Sequence, residues 1–219
     1  MDHTVSNLLG IKEEINSKNL DNKKIVKIVA VTKTFEVKKF LHLLNFGHQD
    51  FGENKVQEAI TKWTEIKESH KDIKLHMIGK LQTNKVKQAV KIFDYIHSVD
   101  NVKLAKKISL EQKKIDKNIK IFIQINVGGE GQKSGIEPSE TKKFLDVCRE
   151  DLELQIVGLM CIPPNEDNVE KYFSRMLKIK NELSLDELSM GMSNDYLQAI
   201  KFEASFVRIG SKIFGNRSI

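Results

Sequence analysis

The chain has 219 residues, of which 40% are hydrophobic and 30% charged. This composition is typical of a globular protein and excludes a fibrous or disordered chain. A net charge of +6 at pH 7 raises the question of nucleic-acid binding, but aromatic residues make up only 7% and lysines alternate with acidic residues. A solvated helix surface explains that alternation, so we expect no nucleic-acid partner and keep a basic RNA-associated protein as a minor hypothesis.

The sequence predicts a cytoplasmic protein without a membrane partner. No apolar run approaches the ~20 residues that cross a bilayer, and the stretch MDHTVSNLLGIKEEI lacks the regions of a signal peptide. Cys148 and Cys161 are isolated thiols without the spacing of a disulfide framework or a zinc site. The histidines form no HxxxH pair and no cluster with metal-ligand spacing, so we expect no metal.

Strand-like segments alternate with helical patterns along the chain. The predicted strands are residues 24–31, 48–53, 74–79, 92–99, 119–127, 154–162, 186–192 and 204–210. The helical patterns are residues 36–46, 54–70, 82–90, 101–117, 137–149, 166–183 and 194–202. Several strands are short apolar runs without alternation, which is typical of parallel strands buried on both faces.

Eight strands separated by helices predict an α/β fold, a single (β/α)8 TIM barrel in one domain over residues 1–219. A doubly wound open sheet is the alternative, because periodicity does not decide whether a sheet closes. Closure is favoured, since the chain ends nine residues after Gly210, too soon for a full eighth helix. An amphipathic N-terminal helix at residues 4–18 would fill that gap.

In such a barrel the residues that follow the strands line one face, where active sites lie. The first strand, KIVAV, leads into Thr32, Lys33 and Thr34. Lysine is abundant in this chain, so Lys33 alone would be an ordinary surface residue. An amine that emerges from an apolar strand loses hydration, however, and that loss favours its neutral, nucleophilic form.

Two other strand ends predict a phosphate site. The stretch GMSND places Ser193 at the expected N-cap of the next helix, and IGSK places Gly210 and Ser211 where a short terminal turn begins. Backbone N–H groups at such turns bind anions, and barrels often hold phosphate after strands seven and eight. Either stretch alone is more simply a helix cap or a turn. Together, at these two strands, they favour phosphate.

A nucleophilic lysine beside a phosphate site suits an aldehyde that carries a phosphate ester, of which pyridoxal 5′-phosphate (PLP) is the common example. Sugar-phosphate aldolases that form a Schiff base are the competing class, although their lysine typically comes from a later strand. The glycine-rich stretch at 128–135 fails the Walker A pattern, because Gln132 precedes Lys133 and Pro138 delays the helix. Neither Ser189 nor Ser193 lies in a GxSxG elbow.

Seven stretches, in order, carry a resemblance to one family: AVTKT, FGENKVQE, HMIGKLQTNK, IHSVD, GLMCIPP, LSMGMSNDYLQAI and VRIGSKIFGNR. From about residue 26 to 217 the chain resembles the YggS/PROSC family of pyridoxal phosphate homeostasis proteins. The resemblance implies a barrel like the N-terminal domain of alanine racemase, without that enzyme's second domain. It also implies binding and carriage of PLP and regulation of PLP (vitamin B6) and amino-acid pools, without established catalytic turnover.

The resemblance implies seven cofactor-binding residues and no catalytic ones. Lys33 resembles the lysine that forms a covalent aldimine with PLP, and Arg208 the partner of its pyridine nitrogen. The alternative for Arg208 is a structural ion pair with a carboxylate. The remaining members are the pocket residues Asn54 and His76 and the phosphate ligands Ser193, Gly210 and Ser211.

Three departures from the family are small: Thr32, Lys80, and EAS in place of GST before FVRIG, which would alter the phosphate grip. The rival hypothesis is a PLP-dependent amino-acid racemase-like enzyme. Racemisation by two bases needs an acid/base on the opposite face of the ring, which the related enzyme takes from a second domain and a second subunit. We expect neither here, and predict a monomer whose further partners are PLP-dependent apo-enzymes.

Overall fold

The computed structural model describes residues 2–18, 25–131 and 134–215. Its strands form a closed barrel in chain order, with every neighbouring pair parallel. The strands are β1 (Lys27–Val31), β2 (Asp50–Glu53), β3 (Lys74–Met77), β4 (Tyr95–Val99), β5 (Lys120–Gln124), β6 (Ile156–Met160), β7 (Glu187–Met192) and β8 (Phe206–Ile209). Each lies inside its predicted range, so the predicted barrel is confirmed and the open sheet is wrong.

Helices surround the barrel. They are α1 (His3–Lys18), α2 (Val37–Asn45), α3 (Val56–Ser69), α4 (Val86–Ile92), α5 (Val102–Lys113), α6 (Thr141–Asp146), α7 (Glu170–Glu182), α8 (Tyr196–Ile200) and α9 (Ser211–Phe214). Two 3₁₀ turns, Thr83–Lys85 and Pro138–Glu140, precede α4 and α6, and a π-helical turn, Val147–Asp151, extends α6. Over the described ranges, none of the helices combines the length and the apolar content that a membrane span requires.

The strands are apolar on both faces because the barrel has two cores. In β1, Ile28 and Ala30 belong to the outer core between strands and helices. Val29, which points the other way, packs inside the barrel. The other buried members of this inner cluster are Tyr95, Phe122, Met160 and Phe206. Alternate residues of one short strand therefore fill two separate cores, which explains the continuous apolar runs in the sequence.

The N-terminal helix α1 completes the helical layer. It packs between α2 on one side and α8 and α9 on the other. The Asn7 amide donates a hydrogen bond to the carbonyl oxygen of Ile213 at 2.9 Å. The Lys212 ammonium lies 2.7 Å from the Glu14 carboxylate. Both contacts join α1 to α9, the short helix that follows β8, so the predicted closure by the N-terminal segment is confirmed.

Candidate functional site

A cavity of about 830 Å³ lies at the carboxyl ends of the strands. Its wall is formed largely by the residues that follow β1, β2, β6, β7 and β8. Six of the seven predicted cofactor-binding residues line it: Lys33, Asn54, Ser193, Arg208, Gly210 and Ser211. Parallel strands that close into a barrel bring their carboxyl ends to one rim, and this is why residues spread over the whole sequence meet here.

His76, the seventh predicted residue, does not line the cavity. Its ring is fully buried inside the barrel. Nε2 of His76 lies 2.9 Å from Oδ1 of Asp50, the first residue of β2, and Nδ1 lies 2.9 Å from Nε2 of His97. In the strand register His76 is opposite Tyr95, the first residue of β4. The structure therefore places His76 toward the amino ends of the strands, below the cavity.

Lys33 is half-buried in the turn that directly follows β1. The next residue, Thr34, has a φ of 67°, in the left-handed region that β-branched residues rarely adopt. The ammonium of Lys62 donates to the carbonyl oxygen of Thr32 at 2.8 Å and to that of Phe35 at 3.1 Å. One buried cation thus holds the backbone on both sides of Lys33 and stabilises a strained turn.

Two carboxylates neutralise Lys62, since Oε1 of Glu53 and Oε1 of Glu58 each lie 2.8 Å from its ammonium. Glu53 is fully buried and also accepts from the Thr32 hydroxyl at 2.7 Å and from the Trp63 indole at 3.0 Å. Burial raises the pKa of Glu53 above its ordinary value, against the effect of these hydrogen bonds. Within the described ranges its second oxygen, Oε2, has no hydrogen-bond partner.

Neither Glu53 nor Lys62 is among the predicted site residues. The sequence offers one signal for Glu53, because it is a charged residue at the end of a predicted strand, directly before the predicted site residue Asn54. Nothing in the sequence marks Lys62, which lies on α3 among many other lysines. The Glu53–Lys62 pair supports the turn that carries Lys33, because Lys62 donates to carbonyl oxygens on both sides of it.

The two predicted halves of the phosphate site meet in space. The backbone N–H of Lys212 donates to the Ser193 hydroxyl at 3.4 Å, which joins the turn after β7 to the start of α9. A methyl group at Gly210 would lie 3.5 Å from Val31, an ordinary contact. The surrounding protein therefore tolerates a side chain at Gly210, and its absence leaves space on the cavity side for a ligand.

The predicted N-cap role of Ser193 is wrong. Helix α8 begins only at Tyr196, and Asp195 occupies the N-cap position. The Asp195 carboxylate accepts a hydrogen bond from the backbone N–H of Met192 at 2.6 Å, which closes the turn after β7. Because Asp195 supplies the contact that stabilises this turn, the hydroxyl of Ser193 is not needed as a cap.

Arg208 lies on β8 with only 4% of its surface exposed. Nη1 donates to the carbonyl oxygen and to the hydroxyl of Ser189, both at 2.7 Å, and Nη2 donates to the carbonyl oxygen of Cys161 at 2.8 Å. Burial lowers the pKa of Arg208, but a guanidinium stays charged at any working pH. In the described part of the chain no carboxylate forms an ion pair with Arg208, which argues against the structural-bridge alternative.

The backbone of Asn54 packs closely against Gly79, the residue that follows Ile78 after β3. A Cβ on Gly79 would lie 2.5 Å from the carbonyl oxygen of Asn54, so only glycine fits at this position. Lys80, the next residue, is exposed and does not line the cavity. Lys133, in the glycine-rich stretch, lies outside the described residues.

The loop between β6 and α7 contributes cavity residues that were not predicted, namely Asn165, Glu166 and Asp167. Their signal in the sequence is a polar run immediately after the quoted GLMCIPP stretch. Among the residues that the structure describes, no group of three or more His, Cys, Asp or Glu side chains is arranged to hold a metal ion. The polar groups around the cavity are instead an amine, a guanidinium, an amide, hydroxyls and carboxylates.

Fold and cavity together define a single-barrel protein with an amine, a guanidinium and two hydroxyls converging at the carboxyl ends of its strands. The family described as "Alanine racemase, N-terminal domain" matches residues 14–218. A pyridoxal phosphate homeostasis protein from Aquifex aeolicus is 38% identical over 203 residues, which cover 87% of each chain. One from Helicobacter pylori is 37% identical over 196 residues, again 87% of each chain.

Solved structures give the same result. PipY of Synechococcus elongatus is similar in structures without and with bound PLP, with TM-scores of 0.83 and 0.80 and identities of 32% and 31%. In both cases the match covers 94% of this chain and 100% of PipY. Alanine racemase of Clostridium difficile, at 16% identity and a TM-score of 0.75, shares the fold over 58% of its length. The chain belongs to the pyridoxal phosphate homeostasis protein family, within the alanine racemase N-terminal domain fold, as the sequence motifs predict.

Proposed function

We propose that this protein binds PLP covalently at Lys33 and takes part in PLP and amino-acid homeostasis in the cytoplasm, without catalytic turnover. The observation that carries the proposal is the convergence of Lys33, Arg208 and the Ser193 and Ser211 hydroxyls on one cavity. The names of the relatives and the PLP-bound form of PipY support the same ligand.

The residues present fit the chemical groups of PLP. The cofactor has an aldehyde, a phosphate and a pyridine nitrogen, and the cavity offers an amine, two hydroxyls beside a glycine, and a guanidinium. The Lys33 amine would hold PLP covalently at its aldehyde carbon, through a C=N bond formed with loss of one water molecule.

The phosphate would be held by Ser193, Gly210 and Ser211. Hydroxyls donate hydrogen bonds to phosphate oxygens, and such bonds to a charged acceptor are the stronger kind. Gly210 leaves room for close approach of the ligand to the backbone. Asn54 adds an amide on the neighbouring wall, next to the turn that carries Lys33.

Arg208 supports a non-catalytic role. A guanidinium has only N–H donors, so it can offer a hydrogen bond to the pyridine nitrogen but cannot accept one from it. The nitrogen would then stay unprotonated, and the ring would withdraw electrons only weakly. Partners of the cofactor-loaded protein would be PLP-dependent apo-enzymes that receive PLP, and we propose that it acts as a monomer.

The test is the absorbance spectrum of the purified protein mixed with PLP, before and after reduction with borohydride. We expect a visible imine band, and after reduction a stable adduct that peptide mapping locates on Lys33. Lys33→Ala should lose both while its thermal unfolding remains cooperative. A reducible adduct of equal yield in Lys33→Ala would move the bond to another lysine, with Lys80 and Lys133 the next to map.

A further inference from the structure

A continuous chain of hydrogen bonds crosses the interior of the barrel from the cavity to its opposite end. The Arg208 guanidinium donates to the Ser189 hydroxyl at 2.7 Å, and that oxygen lies 2.8 Å from Nδ1 of His97. Nε2 of His97 lies 2.9 Å from Nδ1 of His76, and Nε2 of His76 lies 2.9 Å from Oδ1 of Asp50. These five residues come from five different strands, β8, β7, β4, β3 and β2.

The middle of this chain is sealed from water. Ser189, His97 and His76 are fully buried. The ring of His76 stacks on Tyr95 with centroids 4.3 Å apart, and the ring of His97 stacks on Phe122 at 4.4 Å. In such surroundings hydrogen bonds between polar groups are strong, and a group left without a partner is costly.

The chemistry of the two ends determines the direction of every hydrogen bond between them. A guanidinium is a donor only, so Ser189 must accept from Arg208. An ionised carboxylate is an acceptor only, so His76 must donate to Asp50 through Nε2. Burial opposes ionisation of Asp50, yet the hydrogen bond from His76 holds the pKa of its carboxyl below the ordinary value.

The two histidines are neutral, because burial lowers the pKa of both His76 and His97. A neutral imidazole has one donor and one acceptor nitrogen. Since His76 donates through Nε2, its Nδ1 accepts, and His97 must donate through Nε2. Nδ1 of His97 then accepts from the Ser189 hydroxyl. Every bond therefore points from Arg208 toward Asp50, and each group in the chain is satisfied.

This chain of hydrogen bonds is important for Arg208 because the groups that accept its hydrogen bonds, the Ser189 hydroxyl and the carbonyl oxygens of Ser189 and Cys161, are neutral. Three of its five N–H donors are used by Ser189 and Cys161, which leaves two for a ligand in the cavity. Asp195 lies near enough to favour the charged guanidinium, although it is not hydrogen-bonded to it. The carboxylate that reaches Arg208 through hydrogen bonds is Asp50, at the far end of the chain.

We propose that Asp50, His76, His97 and Ser189 form a one-directional hydrogen-bond relay that positions the Arg208 guanidinium toward the ring nitrogen of bound PLP. The role of the relay toward PLP rests on the proposed function, whereas its hydrogen bonds are formed by protein side chains and need no ligand. It makes the electronic state of the cofactor depend on a carboxylate on the other side of the barrel. His76 thereby becomes a positioning residue rather than a pocket residue.

The first test needs no cofactor. Two-dimensional ¹H–¹⁵N NMR of histidine side chains distinguishes the two neutral tautomers and the charged form. At neutral pH we expect His76 and His97 both to be neutral and protonated on Nε2. In Asp50→Asn the amide can donate as well as accept, so the direction is no longer imposed. We then expect the His97 signals to change as well, although Asp50 makes no hydrogen bond to His97.

The second test uses the PLP-loaded protein. Asp50→Asn and Ser189→Ala should each shift the visible absorbance maximum and weaken PLP binding several-fold, while borohydride still fixes the adduct on Lys33. Glu187→Gln is the matched control, since Glu187 begins β7 at the same end of the barrel and, among the described residues, forms no hydrogen bond to the relay. It should leave both the His97 signals and the absorbance unchanged.

The possible outcomes separate the relay from the proposed function. A charged or Nδ1-protonated His76 or His97 in the wild type, or His97 signals unaffected by Asp50→Asn, overturns the relay. If the NMR signals show the relay but the absorbance maximum is unchanged in both variants, the proposed effect of the relay on the cofactor is overturned. Absence of any reducible adduct in the wild type refutes the proposed function instead. If Ser189→Ala fails to fold, Asp50→Asn still tests the relay. Asp50 is partly exposed, so we expect this variant to fold.

Discussion

The ammonium of Lys62 lies 2.8 Å from the carboxylate of Glu53, directly behind the turn that presents Lys33. The Glu53 side chain is fully buried and that of Lys62 is 10% exposed, so both charges have lost most of their hydration. Each needs the other, because a buried charge without its partner is strongly unfavourable. The turn is thus stabilised from inside the protein, with the cavity face left to the ligand.

We expect Lys62→Met to lower the free energy of unfolding by about 3 kcal/mol, the usual cost of leaving one member of a buried ion pair alone. Chemical denaturation at neutral pH measures this change. PLP binding should weaken as well, because the carbonyl oxygens of Thr32 and Phe35 lose their donor. Adding Glu53→Gln to this variant should recover part of the stability, since the fully buried carboxylate is then removed and only the partly exposed Glu58 has lost its cation.

Lys38→Met is the control for this prediction. Lys38 pairs with Glu36 at 2.7 Å, but its side chain is 79% exposed and solvent screens the pair. The free energy of unfolding of this variant should stay close to that of the wild type. An equal loss in Lys62→Met and Lys38→Met would show that burial of the Glu53–Lys62 pair has no special importance.

Gly79→Ala should weaken PLP binding by displacing Asn54. The added Cβ would lie 2.5 Å from the Asn54 carbonyl oxygen, and backbone atoms must move to relieve that contact. We expect a loss of about 1–3 kcal/mol in stability, as for other overpacked sites.

Gly10→Ala in α1 is the control, since beyond the backbone of its own helix its new Cβ would meet no atom within 4 Å. It should raise stability by about 0.5–1 kcal/mol through helix propensity. Unchanged PLP affinity in Gly79→Ala would argue against a role for Asn54.

The phosphate site predicts graded losses. Ser193→Ala removes one hydrogen bond to a charged group, typically about 1.5–3 kcal/mol, and should weaken PLP retention roughly tenfold or more. The double variant Ser193→Ala, Ser211→Ala should lose more. Equilibrium dialysis against free PLP measures both, with pyridoxal, which lacks the phosphate, as the matched ligand. Equal PLP affinity in the double variant and the wild type would place the phosphate elsewhere.

Racemase activity should be close to background. Arg208 can only donate a hydrogen bond, so the ring nitrogen of PLP stays unprotonated and stabilises a carbanion poorly. We expect the PLP-loaded protein to racemise L-alanine no faster than free PLP, as measured by chiral chromatography over hours. Robust racemisation that disappears in Lys33→Ala would establish the racemase-like alternative.

Stability should fall as the pH falls below about 6.5. Burial lowers the pKa of His48 from 6.5 in an unfolded chain to about 4, so the unfolded state binds a proton first as the pH drops. That stability is fully present above pH 6.5 and decreases between 6.5 and 4, by about 3 kcal/mol for His48 alone. His76 and His97 act in the same direction, whereas the raised pKa of Glu53 acts against it.

Urea unfolding between pH 8 and pH 5 measures this dependence. His48→Gln should reduce the slope of the free energy of unfolding against pH. A slope in His48→Gln equal to that of the wild type would mean that His48 does not contribute to acid sensitivity.

Sequence alone determined the order of parallel strands and helices and the rim of the cavity, and it favoured a closed barrel over an open sheet. Eight buried strands followed by helices specify parallel pairing, and parallel strands place all their carboxyl ends on one side. Lys33 and the Gly210–Ser211 turn could therefore be assigned to one site from their positions after strands one and eight. The local signals sufficed because each residue needed only its place relative to its own strand.

Depth inside the barrel and contacts between distant strands were decided by the tertiary structure. Alternation along β3 says that His76 faces one side of the strand, but not whether it reaches the cavity or lies below it. The His97–Ser189 hydrogen bond joins residues that are 92 positions apart, and no local pattern encodes such a pair. Strand stagger and packing around Tyr95 and Phe122 bring them together. Lys62 is likewise one lysine among many until α3 packs on β2 and buries it beside Glu53.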